Sequence, residues 1–464
     1  MMEMRRNLLA SSALTIAVDG ATNVLSRSMS NVIVHDPRPW FAEYLKSNLK
    51  KETAGEVFGK VASVISRLNE FANPPGTDEA DQIKRVFAFV SDSCNLMRAV
   101  RTLLYNEGVV RLTYGCSAHA LNNFCEDIAK LTSMKTGIRR AGFISKTIKN
   151  QNLLSKIFSE LSKELVGKSY AMVLYSASRW SSVNLMFVRL RHVKRAITGV
   201  VSAFLNEKEE RAIDEAYELP AEFVTTVMDG SFWRSISTSV SIFDPICKCI
   251  GVLENNSASL GAVYACFVYV YLHIGRVMDD KDATYLRKKL EYRWDRIASP
   301  VHALAFYCDP FYFPFRRSVA ASTDQVSKKA LQLGKGDLYT QCRNAIETLC
   351  RLDDDSGVEC TSILQEFLTF SLSDSEVATM WGDPTKFWSE KLWSQGQGDF
   401  PLLGKLMMKV FSAPASTAGV ERHHKVAKRI HSAPRNRMTS GKAEQQIAVA
   451  HNAAVADMVL LNHR

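Results

Sequence analysis

Leu14-Thr15-Ile16-Ala17-Val18-Asp19-Gly20 is a short apolar run, rich in β-branched residues, that ends in an acid and a glycine. Its length and composition predict a buried strand, broken by the glycine, with Asp19 at its carboxyl end. Standing alone, such an acid reads as a turn aspartate. A second run of the same build, Arg85-Val86-Phe87-Ala88-Phe89-Val90-Ser91-Asp92-Ser93, also ends in an acid. If the two strands are neighbours, their carboxylates line an oxygen-rich pocket suited to hard divalent cations.

Working outward, residues 28–34 and 40–45 predict two more strands. Residues 53–68 carry Val57, Val61, Val64, Ile65 and Leu68 at helical spacing, and Thr53 with Glu56 forms a capping box. Asn73-Pro74-Pro75-Gly76 breaks that helix before the strand ending in Asp92. The order strand, strand, strand, helix, strand implies a mixed sheet. A helix over 93–105, a fifth strand over 109–114 and a helix over 120–131 complete an α/β unit spanning 1–131. From 132 to 399 the pattern turns all-α, with apolar residues at helical spacing over 178–204, 232–253, 260–277, 283–297 and 341–350. Segments 316–336 and 353–360 are expected to be flexible. Three further helices, 400–410, 416–431 and 442–461, fill the part from 400 to 464. The expected class is therefore a mixed-sheet α/β domain interrupted by a large helical insertion, α+β and helix-rich as a whole.

Hydrophobic content of 46% and charged content of 23% over 464 residues are those of a folded chain, which excludes general disorder. A formal net charge of +10 favours an acidic partner such as nucleic acid. The ten cysteines show no dense disulfide spacing and are read as reduced thiols in an intracellular protein. Arg5-Arg6 and the apolar residues after them imitate a short signal peptide, diluted by serines and Thr15. Residues 260–274 are shorter than a bilayer span and carry three tyrosines and a histidine, so a buried helix and no membrane anchor are expected.

Three motifs bear on chemistry. Cys116-Ser117-Ala118-His119 has the spacing of half a zinc site, but no second pair follows; local packing or a substrate contact are the other readings. In Ser416-Thr417-Ala418-Gly419-Val420-Glu421-Arg422-His423-His424-Lys425-Val426-Ala427-Lys428-Arg429, the cations Arg422, Lys425 and Arg429 recur at helical spacing beside Glu421. From Arg422 to Arg437 there are six Lys or Arg and no acid, a pattern of either a solvated face or a phosphate-binding stripe. Arg179-Trp180 offers a ring that either stacks an unpaired base or belongs to the core.

Taken in order, these residues resemble the hAT superfamily of cut-and-paste DNA transposases. Asp19-Gly20-Ala21-Thr22-Asn23 resembles the family's "DGWTN" opening, with alanine in place of tryptophan. Val90-Ser91-Asp92-Ser93-Cys94-Asn95 is similar to "VTDNASN", and the segment around Cys116 and His119 to "CxxHxLNLxxxDI". Arg179-Trp180-Ser181-Ser182 resembles "TRWNS", residues 293–310 resemble "PLHAAAYFLNP", and Ser416 to Arg422 with Arg435-Asn436-Arg437-Met438 resemble "SSAxSERxFS" and "KRNRL". The resemblance implies a ribonuclease-H-like catalytic region and a C-terminal dimerisation region. It implies Asp19, Asp92 and Glu421 as the three catalytic carboxylates holding two Mg²⁺ or Mn²⁺ ions, and Cys116, His119, Arg179, Trp180, Arg422, Lys425 and Arg429 as DNA-binding residues. The implied partners are DNA and further copies of the chain, in the nucleus. Only eighteen residues precede Asp19, so no zinc-finger module is expected before it. Val420 and His423-His424-Lys425 depart from the family pattern, which suggests decay or reuse of an old transposase although all three candidate acids remain; a domesticated, non-cutting descendant is the alternative to an active enzyme.

Overall fold

The computed structural model describes residues 4, 7–8, 10–11, 13–22, 28–36, 38–46, 52–71, 73, 84–176, 180–206, 218–334, 336–350, 356–373, 384–393, 399–430 and 440–462. They form a helix-rich α+β structure around one five-stranded mixed sheet. Strands β1 (Leu14–Thr22), β2 (Ser28–His35) and β3 (Pro39–Lys46) run antiparallel in series; β4 (Val86–Ser91) and β5 (Leu112–Gly115) join in parallel, giving the order β3-β2-β1-β4-β5. Leu14, Ile16, Ala17 and Val18 of β1, and all of β4, are buried, as runs covered on both faces should be. Gly20 does not break β1. It stays in the ladder opposite Ser30, and the strand continues to Thr22 because β2 supplies partners that far.

Helix α1 (Ala54–Phe71) connects β3 to β4 and buries Val57, Val61, Val64, Ile65 and Leu68. Its capping box is formed as read: the Thr53 N–H donates to Glu56 Oε2 at 2.7 Å and the Glu56 N–H to Thr53 Oγ1 at 3.3 Å. Helix α2 (Asn95–Asn106) lies between β4 and β5, and α3 (Ser117–Ala129) starts three residues earlier than expected. The chain falls into two compact units. One comprises Met1–Ala120, Gly251–Leu272 and Glu291–Arg464; the other comprises Leu121–Ile250 and His273–Leu290.

In the first unit the sheet core draws on both ends of the chain, with Met4, Leu8 and Val455 packed with β1, β2 and α1. β3 is a sheet edge, and helix Ser440–Asn462 covers it. The Phe41 N–H donates to Asn452 Oδ1 at 2.8 Å, Asn452 Nδ2 donates to the Phe41 carbonyl at 3.1 Å, and the Tyr44 N–H donates to Glu444 Oε1 at 3.1 Å. Polar side chains thereby occupy backbone groups that would otherwise recruit a foreign strand.

The second unit is helical. The stretch 178–204, read as one helix, is two, Trp180–His192 and Lys194–Asn206, meeting at buried Val193. Elsewhere, segment 316–336 contains the end of helix Phe313–Ala320 and the whole of Gln325–Ala330. The latter is capped by Asp324, which accepts from the Val326 and Ser327 N–H groups, so the segment expected to be flexible contains helical structure. In segment 353–360, residues 353–355 lie outside the described residues, and helix Ser356–Ser373 begins directly after them. Helices Gly230–Leu253 and Leu260–Val277 are long and apolar enough to cross a membrane by length and composition; 50% and 72% of their apolar windows are buried inside the fold.

Candidate functional site: a carboxylate cluster at the sheet edge

Strand pairing brings the two aspartates together. Val18 pairs with Ser91 across parallel β1 and β4, so the next residues, Asp19 and Asp92, lie side by side at one end of the sheet. Both are half-buried. Opposite Asp19 on β2 stands Asn31, 1% exposed, whose side-chain amide meets no hydrogen-bond partner among the described residues. A buried polar group beside an acid is a site feature that strand periodicity alone does not reveal.

The third acid arrives on helix Ala418–Ile430, which packs on β1, β2 and β3. Hydrogen bonds tie down the segment before it. Tyr114 Oη donates to the Pro414 carbonyl at 2.7 Å, Ser117 Oγ to the Ala415 carbonyl at 2.6 Å, and the Thr417 N–H to Cys116 Sγ at 3.4 Å. From the same segment Ser416 Oγ donates to the Leu253 carbonyl at 2.7 Å and the Ala415 N–H to the Ala258 carbonyl at 3.1 Å. Glu421 follows in the first helical turn, where the helix dipole favours a negative charge. Gly419 permits the close seat: a Cβ there would stand 3.0 Å from His35 Cε1 and 3.0 Å from Pro39 Cβ.

The electrostatics report the convergence. Burial pushes the Asp19 carboxyl up to about 7; the charge of Glu421 and then that of Asp92 push the same way, against the Gly20 N–H that donates to Asp19 Oδ1 at 2.9 Å. Both Glu421 and Asp92 therefore lie near enough to act on Asp19. Among the described residues, however, no three Asp, Glu, His or Cys side chains stand close enough to hold a metal ion. The acids share a field without forming a closed ligand set.

Two arginines shape the turn that carries Asp92. The buried Arg101 guanidinium donates through Nη1 to the Asp92 carbonyl at 2.6 Å and to Ser91 Oγ at 3.1 Å, and through Nη2 to the Arg296 carbonyl at 2.9 Å. Arg296 Nη2 donates in turn to the Ser93 carbonyl at 2.8 Å and to Asn95 Oδ1 at 2.7 Å. Burial lowers the Arg101 guanidinium to about 10, while the negative charge of Asp92 acts the other way. Neither arginine was singled out in the sequence. The available signal was Arg101 lying on the same helical face as Val100 and Leu104, an apolar stripe with a charge in it.

The remaining expected site residues take varied positions. Cys116 is 2% exposed and its thiol, pushed up to about 11 chiefly by burial, holds Thr417; His119 on α3 is exposed. Among the described residues no further metal ligands gather at the pair, and Cys116 Sγ accepts from the Thr417 N–H just ahead of the Glu421 helix. Arg422 donates to the Glu254 carbonyl at 2.7 Å and to Asn256 Oδ1, so its guanidinium joins that helix to the loop 254–256. Trp180 is packed in the helical unit, its ring stacked on Phe243 at 6.1 Å between centroids and its backbone N–H donating to Asn122 Oδ1 at 3.2 Å. A base reaches that ring only if the stack opens. Arg179 lies outside the described residues, as do residues 435–438 and the side chains of Lys425 and Arg429.

Residues 367–453 match the model of the hAT family C-terminal dimerisation region. The match begins in helix Ser356–Ser373, takes in the tied segment 414–417 and Glu421, and ends at residue 453 within the helix covering β3. It supports a transposase-related chain that self-associates. No curated protein matches the chain.

Proposed function

We propose that the chain is a hAT-type transposase, or a protein derived from one, that binds DNA in the nucleus, self-associates through its C-terminal region and cuts and joins phosphodiester bonds with a divalent cation. One observation carries this reading: strand pairing sets Asp19 beside Asp92, and the helix bearing Glu421 packs on the same strand from far along the chain, so that both charges push the Asp19 carboxyl up. A ribonuclease-H-like scaffold is the reading that accounts for two adjacent acidic strand ends and a late returning helix together.

In this reading Asp19, Asp92 and Glu421 would hold Mg²⁺ or Mn²⁺ once their side chains draw together, since as they stand they do not form a closed ligand set. Carboxylate oxygens are the donors such hard cations take, and the crowding of negative charge that raises Asp19 is the environment a cation relieves. When bound, the ion would supply Lewis-acid polarisation of the scissile phosphate and an activated hydroxyl. The chain's own groups have separate tasks. The Asp19 carboxyl can keep a proton near neutral pH until positive charge enters. Arg101 and Arg296 hold the Asp92 turn through its backbone. Arg179, Trp180, His119, Arg422, Lys425 and Arg429 are the residues assigned to the DNA strands, with Cys116 behind them.

The test is incubation of purified chain with Mn²⁺ and a duplex bearing terminal inverted repeats. Nicking that disappears in Asp19→Asn, Asp92→Asn and Glu421→Gln supports the proposal; intact duplex with wild type removes the catalytic part. A second reading, a domesticated descendant that binds DNA or dimerises without cutting, is favoured by the absence of a closed ligand set among the described residues. It predicts DNA retardation without cleavage in every sample.

A further inference from the structure

The helical unit presents a cationic track outside the carboxylate cluster. Helix α4 (Thr132–Asn150) carries five Lys or Arg and no acid over its 19 residues. Arg140 is spent on the fold, pairing with Asp229 at 2.7 Å and lying over the Phe232 ring. Lys135, Arg139, Lys146 and Lys149 are exposed, and with Gly142 between them they recur at intervals of four, three, four and three residues. That is one stripe along a helix whose buried side carries Met134, Ile138, Ala141, Ile144 and Ile148. Arg139 has a solvent-exposed pair with Glu222 at 3.2 Å, a contact that salt screens and a polyanion displaces. Among the described residues, Lys135, Lys146 and Lys149 have no acid within ion-pair distance.

The gap in the stripe is filled by a ring. A Cβ on Gly142 would stand 2.9 Å from Tyr175 Cε1, so the tyrosine lies directly on the helix at the one position of this stripe that has no side chain. Tyr175 nevertheless remains 41% exposed. Cations in line, about 21 Å from first to last at the helical rise, with an exposed aromatic between them, match what a nucleic-acid strand offers: regularly spaced phosphates and a base face. A solvated face needs neither a lack of acids along the whole helix nor a glycine that seats an exposed ring.

We infer that the exposed face of α4, with Tyr175, is a binding track for a DNA strand, the cations taking successive phosphates and Tyr175 stacking one unpaired base. The choice of DNA rests on the function proposed above, but the surface belongs to the helical unit and the three acids to the other. The experiment is fluorescence anisotropy with a labelled single-stranded 16-mer and its duplex, titrated across NaCl concentrations. Lys135→Glu/Lys146→Glu/Lys149→Glu is expected to weaken both at least tenfold in 50 mM salt and to reduce the salt slope by roughly two to three. Tyr175→Ala is expected to cost about tenfold on the single strand and little on the duplex. Gly142→Ala, which favours helix, should reproduce that loss by displacing the ring, with unchanged circular dichroism. A triple variant that titrates as wild type at every salt overturns this surface and leaves DNA binding elsewhere intact. A Tyr175→Ala loss equal on both probes overturns the stacking. Wild type that binds neither probe overturns this surface together with the DNA-binding reading.

Discussion

Asp19 is a residue at odds with the stability of its own fold. Its carboxyl titrates near 4 in an unfolded chain and is pushed up to about 7 in the native one. Below pH 4 both states hold the proton, so nothing is lost. Between pH 4 and about 7 only the folded chain holds it, and stability falls as pH rises; above about 7 the loss is complete. Asp19→Asn is therefore expected to match wild type most closely near pH 4.5 and to be more stable at pH 8 by roughly 1–3 kcal/mol, the shift being discounted for partial solvent screening. Urea unfolding at the two pH values checks this, and parallel profiles for the two proteins contradict it. The identity of Asp19 and Asp92 as candidates was legible because an acid ending an apolar run is unusual. The rise in the Asp19 value was not, because it depends on which charges end up nearby.

At the scale of elements, the placement of helix Ala418–Ile430 depends on a tied segment and a glycine. Gly419→Ala would gain helix propensity, yet its Cβ would press on His35 and Pro39, so a net loss of about 1–3 kcal/mol is expected. Gly59, in α1, is the control: a Cβ there meets nothing within 4 Å, and Gly59→Ala should stabilise by up to about 1 kcal/mol. Thermal unfolding of both variants decides, and a stabilised Gly419→Ala would mean that the helix seats less closely. The capping box of α1 and its apolar stripe were readable because both are local patterns. The division of 178–204 into two helices and the persistence of β1 past Gly20 were not. The first depends on packing at Val193 and the second on the partner strand.

For the whole molecule, one compact unit is assembled from three separate stretches of chain. Val420 and Ile447 are buried and Val455 joins the sheet core, so the C-terminal residues complete a structure begun at the N-terminus. A chain ending at Asp399 would leave Tyr114 and Ser117 without their carbonyl acceptors and expose the β3 edge. Such a truncation is expected to lose near-ultraviolet circular dichroism and cooperative unfolding and to aggregate, as light scattering would show. A cooperatively folded, monodisperse fragment would contradict that expectation. The sequence by itself determined the strands, most helices and the two acidic strand ends, because alternation, helical spacing and capping act over a few residues. Only the tertiary structure decided that Glu421 lies in the field of Asp19, that Cys116 anchors a helix and that Arg101 props the Asp92 turn, because those relations join residues that no local spacing connects.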